Sequence, residues 1–248
     1  MPSFKQMIYL SIIIPAYNEE KRIGGTLIKM LNYLSAKNYS WEIILVDDGS
    51  ADRTIEKAKE IIKDERLKVL KNPINHGKGY SVKKGILASK GQIILFSDAD
   101  LSTPIEELDN MLSWIERGCD IVIGSRALPE SVIKLSQPWH RQTMGKIFNL
   151  IVRMFVLSEI KDTQCGFKCF KSETTFKIFN LQRLNGFAFD VEILYIAKKF
   201  GLTIKEQPVK WINSPDSKVN LFKGPLSMLR ELLTIKLYDI KGYYKITI

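Results

Sequence analysis

Five short apolar runs in the first half of the chain restrict the fold more than any other feature, because each is shut off by polar residues and most lead into a segment of helical period. Residues 8–14, 42–46, 67–70, 92–96 and 120–124 have the length and apolar character of buried strands. Between them, 21–34 sets Ile23, Leu27, Met30, Leu31 and Leu34 on one helical face. Ser50 reads as a helix cap ahead of Ile55, Ala58, Ile61 and Ile62. Residues 79–89 read as a further helix, and Pro104 suits the first turn of one carrying Leu108, Met111, Leu112 and Ile115. Strands alternating with helices predict an α/β fold, a mostly parallel sheet flanked by helices on both faces. Such sheets bind ligands beyond the carboxyl ends of their strands. The unusual polar residues collect there, in "PAYNEE", "DDGS", "DADLS" and "GSR".

The second half is less regular: 139–157 and 189–200 read as helices and 167–170 as a strand. No Gly, Pro or Ser-rich linker and no repeat divides the 248 residues, so a single domain spanning 1–248 is expected. From 226 onward Leu226, Leu229, Leu233, Leu237 and Ile240 fall on one helical face. Ten basic residues run from Lys198, itself counted, to the C-terminus, so 221–248 reads as a basic amphipathic tail able to lie on an anionic membrane or pack on the core.

A net charge of +10 and a pI near 9.4 favour an acidic partner: nucleic acid, an anionic membrane surface or a phosphorylated ligand. The basic residues are dispersed, with no zinc-finger, RNP-like or helix-turn-helix signature, which argues against nucleic acid. The apolar run at 8–14 is too short to span a membrane, and "FNLIVRMFVL" is interrupted by Arg153, so no transmembrane segment is expected. Cys119, Cys165 and Cys169 make an odd count without zinc-site spacing, which fits reduced thiols in the cytoplasm.

"SDADLSTP" closes the fourth apolar run. Strand alternation would send Asp98 and Asp100 to one face, and two carboxylates so close call for a positive partner. A lysine, a helix start or a metal ion are the alternatives. A divalent cation bridging these carboxylates and substrate phosphates explains them best, since Mg²⁺ uses one or two carboxylates together with phosphate oxygens and water. "NHGKGYSVKKG" fails the dinucleotide pattern because Val82 stands where the third glycine belongs, and it lacks P-loop spacing. A helix start with free N–H groups beside Lys78 nevertheless suits a phosphate, the plain alternative being a strand-to-helix turn. In "VDDGS", Asp48 is placed to accept hydrogen bonds from a ribose or a base, or simply to make a turn.

Taken together, "SIIIPAYNEE", "ILVDDGSADRT", "HGKGYSVKKG" and "FSDADLSTP" resemble glycosyltransferase family 2, the sugar-nucleotide enzymes with a GT-A, Rossmann-like fold. "IGSRA", "HRQTMGKIFN", "KDTQCGFKCF" and "FAFDVEILYIAKK" are similar to the polyprenyl-phosphate branch, the dolichyl-phosphate β-glucosyltransferases and mannose synthases. The resemblance covers about 8–220. It implies a nucleotide-sugar half at about 8–125 and an acceptor half at about 126–220. Pro15, Ala16, Tyr17 and Glu19 would contact the nucleoside, with Val46 and Asp48 on its base or ribose. Asp98, Ala99 and Asp100 would hold ribose, metal (Mg²⁺ or Mn²⁺) and diphosphate, with Ser102 beside them and Lys218 approaching the diphosphate. Arg126 and Arg141 would bind the acceptor's phosphate.

The reaction so implied is transfer of a hexose, with inversion, from a nucleotide diphosphate sugar to a polyprenyl or dolichyl phosphate. UDP-glucose is favoured and GDP-mannose stays open. Many relatives carry transmembrane helices, and an enzyme without them would reach its lipid from the cytosolic membrane surface. Asp162, and after it Asp190, are candidates for holding sugar or acceptor, or else caps or buried ion-pair members. The alternative acceptor is a sugar hydroxyl, which would require one of these two as a base.

Overall fold

The computed structural model describes residues 7–135, 139–213 and 223–245, with the side chains of 135, 139–142 and 223–228 outside the description. The apolar runs become strands β1 (Leu10–Ala16), β2 (Trp41–Asp47), β3 (Leu67–Lys71), β4 (Ile93–Ser97) and β5 (Ile121–Ser125). Helices α1 (Glu20–Ser35), α2 (Thr54–Ile61), α3 (Lys78–Leu87) and α4 (Leu108–Glu116) connect them, α4 after a short 3₁₀ turn at Ile105–Glu107. There follow β6 (Val132–Leu135), α5 (Trp139–Phe155), β7 (Phe167–Lys171), α6 (Ser172–Leu181), α7 (Phe189–Lys199), β8 (Ile204–Pro208), β9 (Lys210–Ile212) and α8 (Lys223–Ile240).

Seven strands form one sheet in the order β3-β2-β1-β4-β7-β5-β8, and β6 pairs with β9 beside it. All neighbours in the large sheet run parallel except at β7, which lies antiparallel between β4 and β5. The sheet thus crosses the boundary expected near 125: a strand from the second half is built into the middle of the first. The period-2 rule splits the core in two, Ile12 and Ile14 of β1 facing one cluster and Ile13 the other. One cluster packs α1 and α4 against the sheet, the other α3, α6 and α7. Fully burying each such Ile or Leu contributes about 1.5–3 kcal/mol.

Local sequence readings are adjusted in two places. Ser50 does not cap α2; its Oγ accepts the Asn18 N–H (2.8 Å), while Asp52 Oδ1 accepts the Thr54 N–H (3.1 Å). Pro104 precedes the 3₁₀ turn rather than lying in the first turn of α4. Among the described residues no helix is long and apolar enough to cross a membrane.

Candidate active site

The carboxyl ends of β1, β2 and β4 converge on a pocket of about 380 Å³. Its wall includes Pro15, Ala16, Tyr17 and Glu19 from the first motif, Asp48 from the second, and Asp98, Ala99 and Asp100 from the third. Lys78, at the start of α3, lines it too. A larger hollow of about 630 Å³ lies beside β8 against Trp114, Lys205 and Glu206, and none of Pro15, Asp48, Lys78, Asp98 and Asp100 lines it.

The first two motifs build each other. Asn18 takes a left-handed conformation (φ 55°), which Asn tolerates, and its Oδ1 accepts the Ala51 N–H at 2.8 Å. Thr54 Oγ1 and Asp52 Oδ2 accept the N–H groups of Glu19 (2.7 Å) and Glu20 (3.1 Å), and Glu20 Oε2 accepts that of Arg53 (3.1 Å). Orphan donors at the head of α1 are therefore capped by the loop before α2. Glu19 is a partner of Arg22, two bonds of 2.7 Å, and Arg22 joins the pocket wall unforeseen.

Asp48 is only 4% exposed and accepts from the N–H groups of His76 (3.0 Å) and Gly77 (2.8 Å) and from Asn72 Nδ2 (2.7 Å). Much of its hydrogen-bonding capacity goes into shaping the loop before α3. Val46, expected at the nucleoside, is fully buried in the core on the α3 side, where a Cβ built on Gly85 would meet its Cγ2 at 2.9 Å. Val46 is the penultimate residue of β2, two before Asp48, and its side chain packs into the core without lining the pocket.

The paired acids lie in a turn beyond β4, not on the strand itself, so strand alternation is not what brings them together. Thr26 of α1 donates to the Ala99 carbonyl (2.7 Å), and Leu101 takes a left-handed φ of 47°. Leu101 N–H donates to the Asp98 carbonyl at 3.1 Å, closing the turn. Both side chains are partly buried rather than solvent-facing. Burial, then the charge of Asp98, pushes the Asp100 carboxyl up. The Ser102 N–H (3.0 Å) and hydroxyl hold Asp100, so Ser102 supports the acid without lining the pocket.

Lys78 Nζ stands 2.7 Å from Asp98 Oδ1, so the lysine alternative of the sequence reading is realised. The lysine's ammonium is opposed by burial, but Asp98, Asp190 and Asp100 outweigh this and raise its pKa. The free N–H groups expected beside it are partly taken: those of Gly79 (2.8 Å) and Tyr80 (3.4 Å) donate to the Asn185 carbonyl. The two glycines of "HGKG" admit that loop, since a Cβ at Gly77 would meet Asn185 O at 2.4 Å and one at Gly79 would meet Leu184 O at 2.7 Å.

Behind Asp98 runs a line of alternating charge that sequence reasoning missed. Lys168, fully buried on β7, pairs with Asp190 and donates to the Cys165 carbonyl at 2.6 Å. Lys78 and Lys168 both stand over the Phe96 ring, at 5.1 and 5.6 Å. Asp190 is buried, which drives its carboxyl up although both lysines oppose this. Farther along, Asp162 is 1% exposed and takes the Arg126 Nε (2.7 Å), Nη2 (2.9 Å) and backbone N–H (2.9 Å). Burial works against both charges, yet the pair holds the Asp162 carboxyl below and the Arg126 guanidinium above the ordinary range. Asp162 and Asp190 are thus ion-pair members. The only sequence signal for Lys168 was a lysine inside the apolar run "GFKCF". The side chain of Arg141, on α5, and the whole of Lys218 lie outside the described residues.

A family model described as "Glycosyl transferase family 2" matches residues 11–176, which contain every strand end of this pocket. The chain belongs to glycosyl transferase family 2. It is a glycosyltransferase with the GT-A type of sheet. Over 252 residues it is 38% identical to the dolichyl-phosphate beta-glucosyltransferase of Dictyostelium discoideum, covering 96% of this chain and 77% of the relative. The fold is shared with mannosyl-3-phosphoglycerate synthase from Rubrobacter xylanophilus (TM-score 0.71, 17% identity, 97% of this chain and 77% of that one). It is shared also with Mycobacterium tuberculosis glucosyl-3-phosphoglycerate synthase solved with Mn²⁺, UDP-glucose and phosphoglyceric acid (TM-score 0.66, 17% identity, 92% and 79%).

Proposed function

We propose that this chain transfers glucose from UDP-glucose to dolichyl phosphate or a related polyprenyl phosphate, giving a β-linked product with inversion. The observation that carries the reading is the meeting of three motif-bearing strand ends in one pocket lined also by Lys78, with Asp98 and Asp100 among its wall residues. The name of the Dictyostelium relative supports the sugar and the lipid.

Asp98 and Asp100 fit a Mg²⁺ or Mn²⁺ ion. They offer hard oxygen ligands side by side, and among the described residues no third His, Cys, Asp or Glu completes a cluster. Two carboxylates alone suit an ion whose remaining ligands are substrate phosphates and water. The Mn²⁺ and UDP-glucose in the mycobacterial neighbour support this choice. Once bound, the ion neutralises charge on the departing diphosphate.

The protein's own groups position and stabilise. Lys78, paired with Asp98 on the pocket wall, shares the diphosphate's charge, an electrostatic contribution that acts where charge develops. Pro15, Ala16, Tyr17 and Glu19 hold the nucleoside, and Asp48 keeps the loop at 72–77 in shape for it. Arg126 directs two of its five N–H donors at Asp162 and stays 27% exposed, so the rest of its fork serves the lipid phosphate together with Arg141. Lys218 is assigned to the diphosphate.

Asp162 and Asp190 bear on the choice of acceptor. A sugar hydroxyl needs a base within hydrogen-bond reach of it. Both carboxylates are 1% exposed and tied to cations, which favours an acceptor already ionised. A phosphate monoester, with its second pKa at about 6, is such an acceptor at neutral pH. The enzyme then works peripherally at the cytosolic membrane face, with α8 and the positive charge facing the lipid.

A thermal-shift panel tests the donor assignment. UDP-glucose with Mn²⁺ should raise the melting temperature more than GDP-mannose or UDP-glucose in chelator. An equal response to all nucleotide sugars, or none, would count against it.

A further inference from the structure

The segment 182–188 between α6 and α7 is seated on the start of α3 and held from behind by two carboxylates. On the α3 side, Gln182 Nε2 donates to the carbonyls of Gly79 (2.9 Å) and Leu184 (2.8 Å), and the Asn185 carbonyl takes the Gly79 and Tyr80 N–H groups described above. Behind, Glu192 accepts from the N–H groups of Arg183 (3.0 Å) and Leu184 (2.8 Å) and from the Tyr244 hydroxyl (2.6 Å). Glu231, from the middle of α8, accepts the Ala188 N–H at 3.1 Å. Its other oxygen lies flat against Gly186, where an added Cβ would stand 2.3 Å away. Phe187 sits between the two residues that Glu231 touches, is 38% exposed, and lines the pocket beside Lys78 and Asp98.

The phenyl ring is displayed at the pocket together with Pro15, Ala16, Tyr17 and Ala99, and the residues on both sides of it are in contact with one carboxylate from a distant helix, Ala188 through a hydrogen bond. We propose that Phe187 contacts the bound nucleotide sugar and that Glu231 is the positioning residue that sets it there, so that α8 tunes donor affinity. This rests on the donor assignment made above and deepens it. Glu231 touches no substrate; it acts through the loop it holds. Glu192 grips the other end of the loop from α7, and Tyr244, beyond α8, shares its carboxylate. The C-terminal segment therefore reaches the loop at two points.

The test is steady-state kinetics on the full chain with UDP-glucose, dolichyl phosphate and Mn²⁺, with melting temperatures alongside. Glu231→Ala should raise the donor KM by about fivefold or more, the lower end of coupling between linked sites, with kcat and the KM for dolichyl phosphate within about twofold. Glu231→Gln, which keeps the shape and an oxygen for the Ala188 N–H, should recover most of the donor KM. Phe187→Leu, a change at the surface that does not touch the clamp, should repeat the donor-specific loss with an unchanged melting temperature. A melting-temperature drop in Glu231→Ala without any donor KM change would overturn the inference, as would a normal donor KM in Phe187→Leu. A wild-type protein that shows no saturable use or binding of UDP-glucose would overturn this inference and the donor assignment together.

Discussion

A methyl group at position 166 would lie 1.9 Å from Asp98 Oδ2, so Gly166 leaves the space in which that carboxylate rests. Its carbonyl also accepts the Asp98 N–H at 3.0 Å. Gly166→Ala must displace the acid. Activity should fall about a hundredfold in a transfer assay, the scale of a misplacement near 1 Å, while the circular dichroism spectrum is retained. Asp162 makes a different prediction. Burial alone would raise its carboxyl, but Arg126 outweighs burial and the folded value lies below the ordinary 3.8. The stabilisation is therefore complete above pH 3.8 and fades as pH falls through the depressed folded value. Asp162→Asn should cost about 3 kcal/mol in denaturant unfolding at pH 7, and the gap to the wild type should narrow below pH 3.8. In both cases the residue was visible in the sequence but its reason was not. Gly166 was only part of "KDTQCGFK", and Asp162 was one of two acids without a partner, because long-range contacts leave no local pattern.

At the scale of elements, strand β7 carries the largest departure from what the sequence conveys. An apolar stretch at 167–170 announces a strand, yet period-2 alternation is the same in either direction, so its antiparallel place between β4 and β5 is not legible. That placement brings Lys168 under the pocket and makes its pair with Asp190 a buried one. Lys168→Met leaves Asp190 without its closest partner and should destabilise by about 3–5 kcal/mol, whereas Lys168→Met with Asp190→Leu should regain much of this in the same unfolding measurement. The loop ahead of α3 shows a second limit. Its helix start reads as free N–H groups suited to a phosphate, but those of Gly79 and Tyr80 donate to the Asn185 carbonyl. Glycine signals close approach without saying what approaches. By contrast, β1, β2 and β4 and the motifs at their ends were legible in order, because apolar runs and their polar terminators are local properties.

At the scale of the whole molecule, α5 and α8 carry exposed apolar side chains in the same stretches of chain as basic ones. Leu233, Leu237 and Ile240 on α8 are exposed, as are Ile147, Leu150, Met154 and Phe155 on α5, which packs against α8. Arg153, Arg230, Lys236 and Lys241 accompany them on a chain of net charge +10. Such a surface suits an anionic bilayer, each basic residue near it contributing about 1 kcal/mol. Leu237→Asp combined with Ile240→Asp should weaken sedimentation with phosphatidylserine vesicles about tenfold or more, and added salt should weaken the wild type in the same assay. The fold and the convergence of the motif-bearing strand ends were accessible from one sequence, while the inner charge line and the loop clamp required the tertiary structure. The most direct test of the whole is transfer of labelled glucose from UDP-glucose to dolichyl phosphate, read as label extracted into organic solvent, for the wild type and Asp100→Asn with Mn²⁺ or chelator. Organic-soluble label that disappears in chelator, and falls by about a hundredfold or more in Asp100→Asn, is the predicted result. Label confined to water-soluble product, or transfer indifferent to Asp100 and to metal, would contradict it.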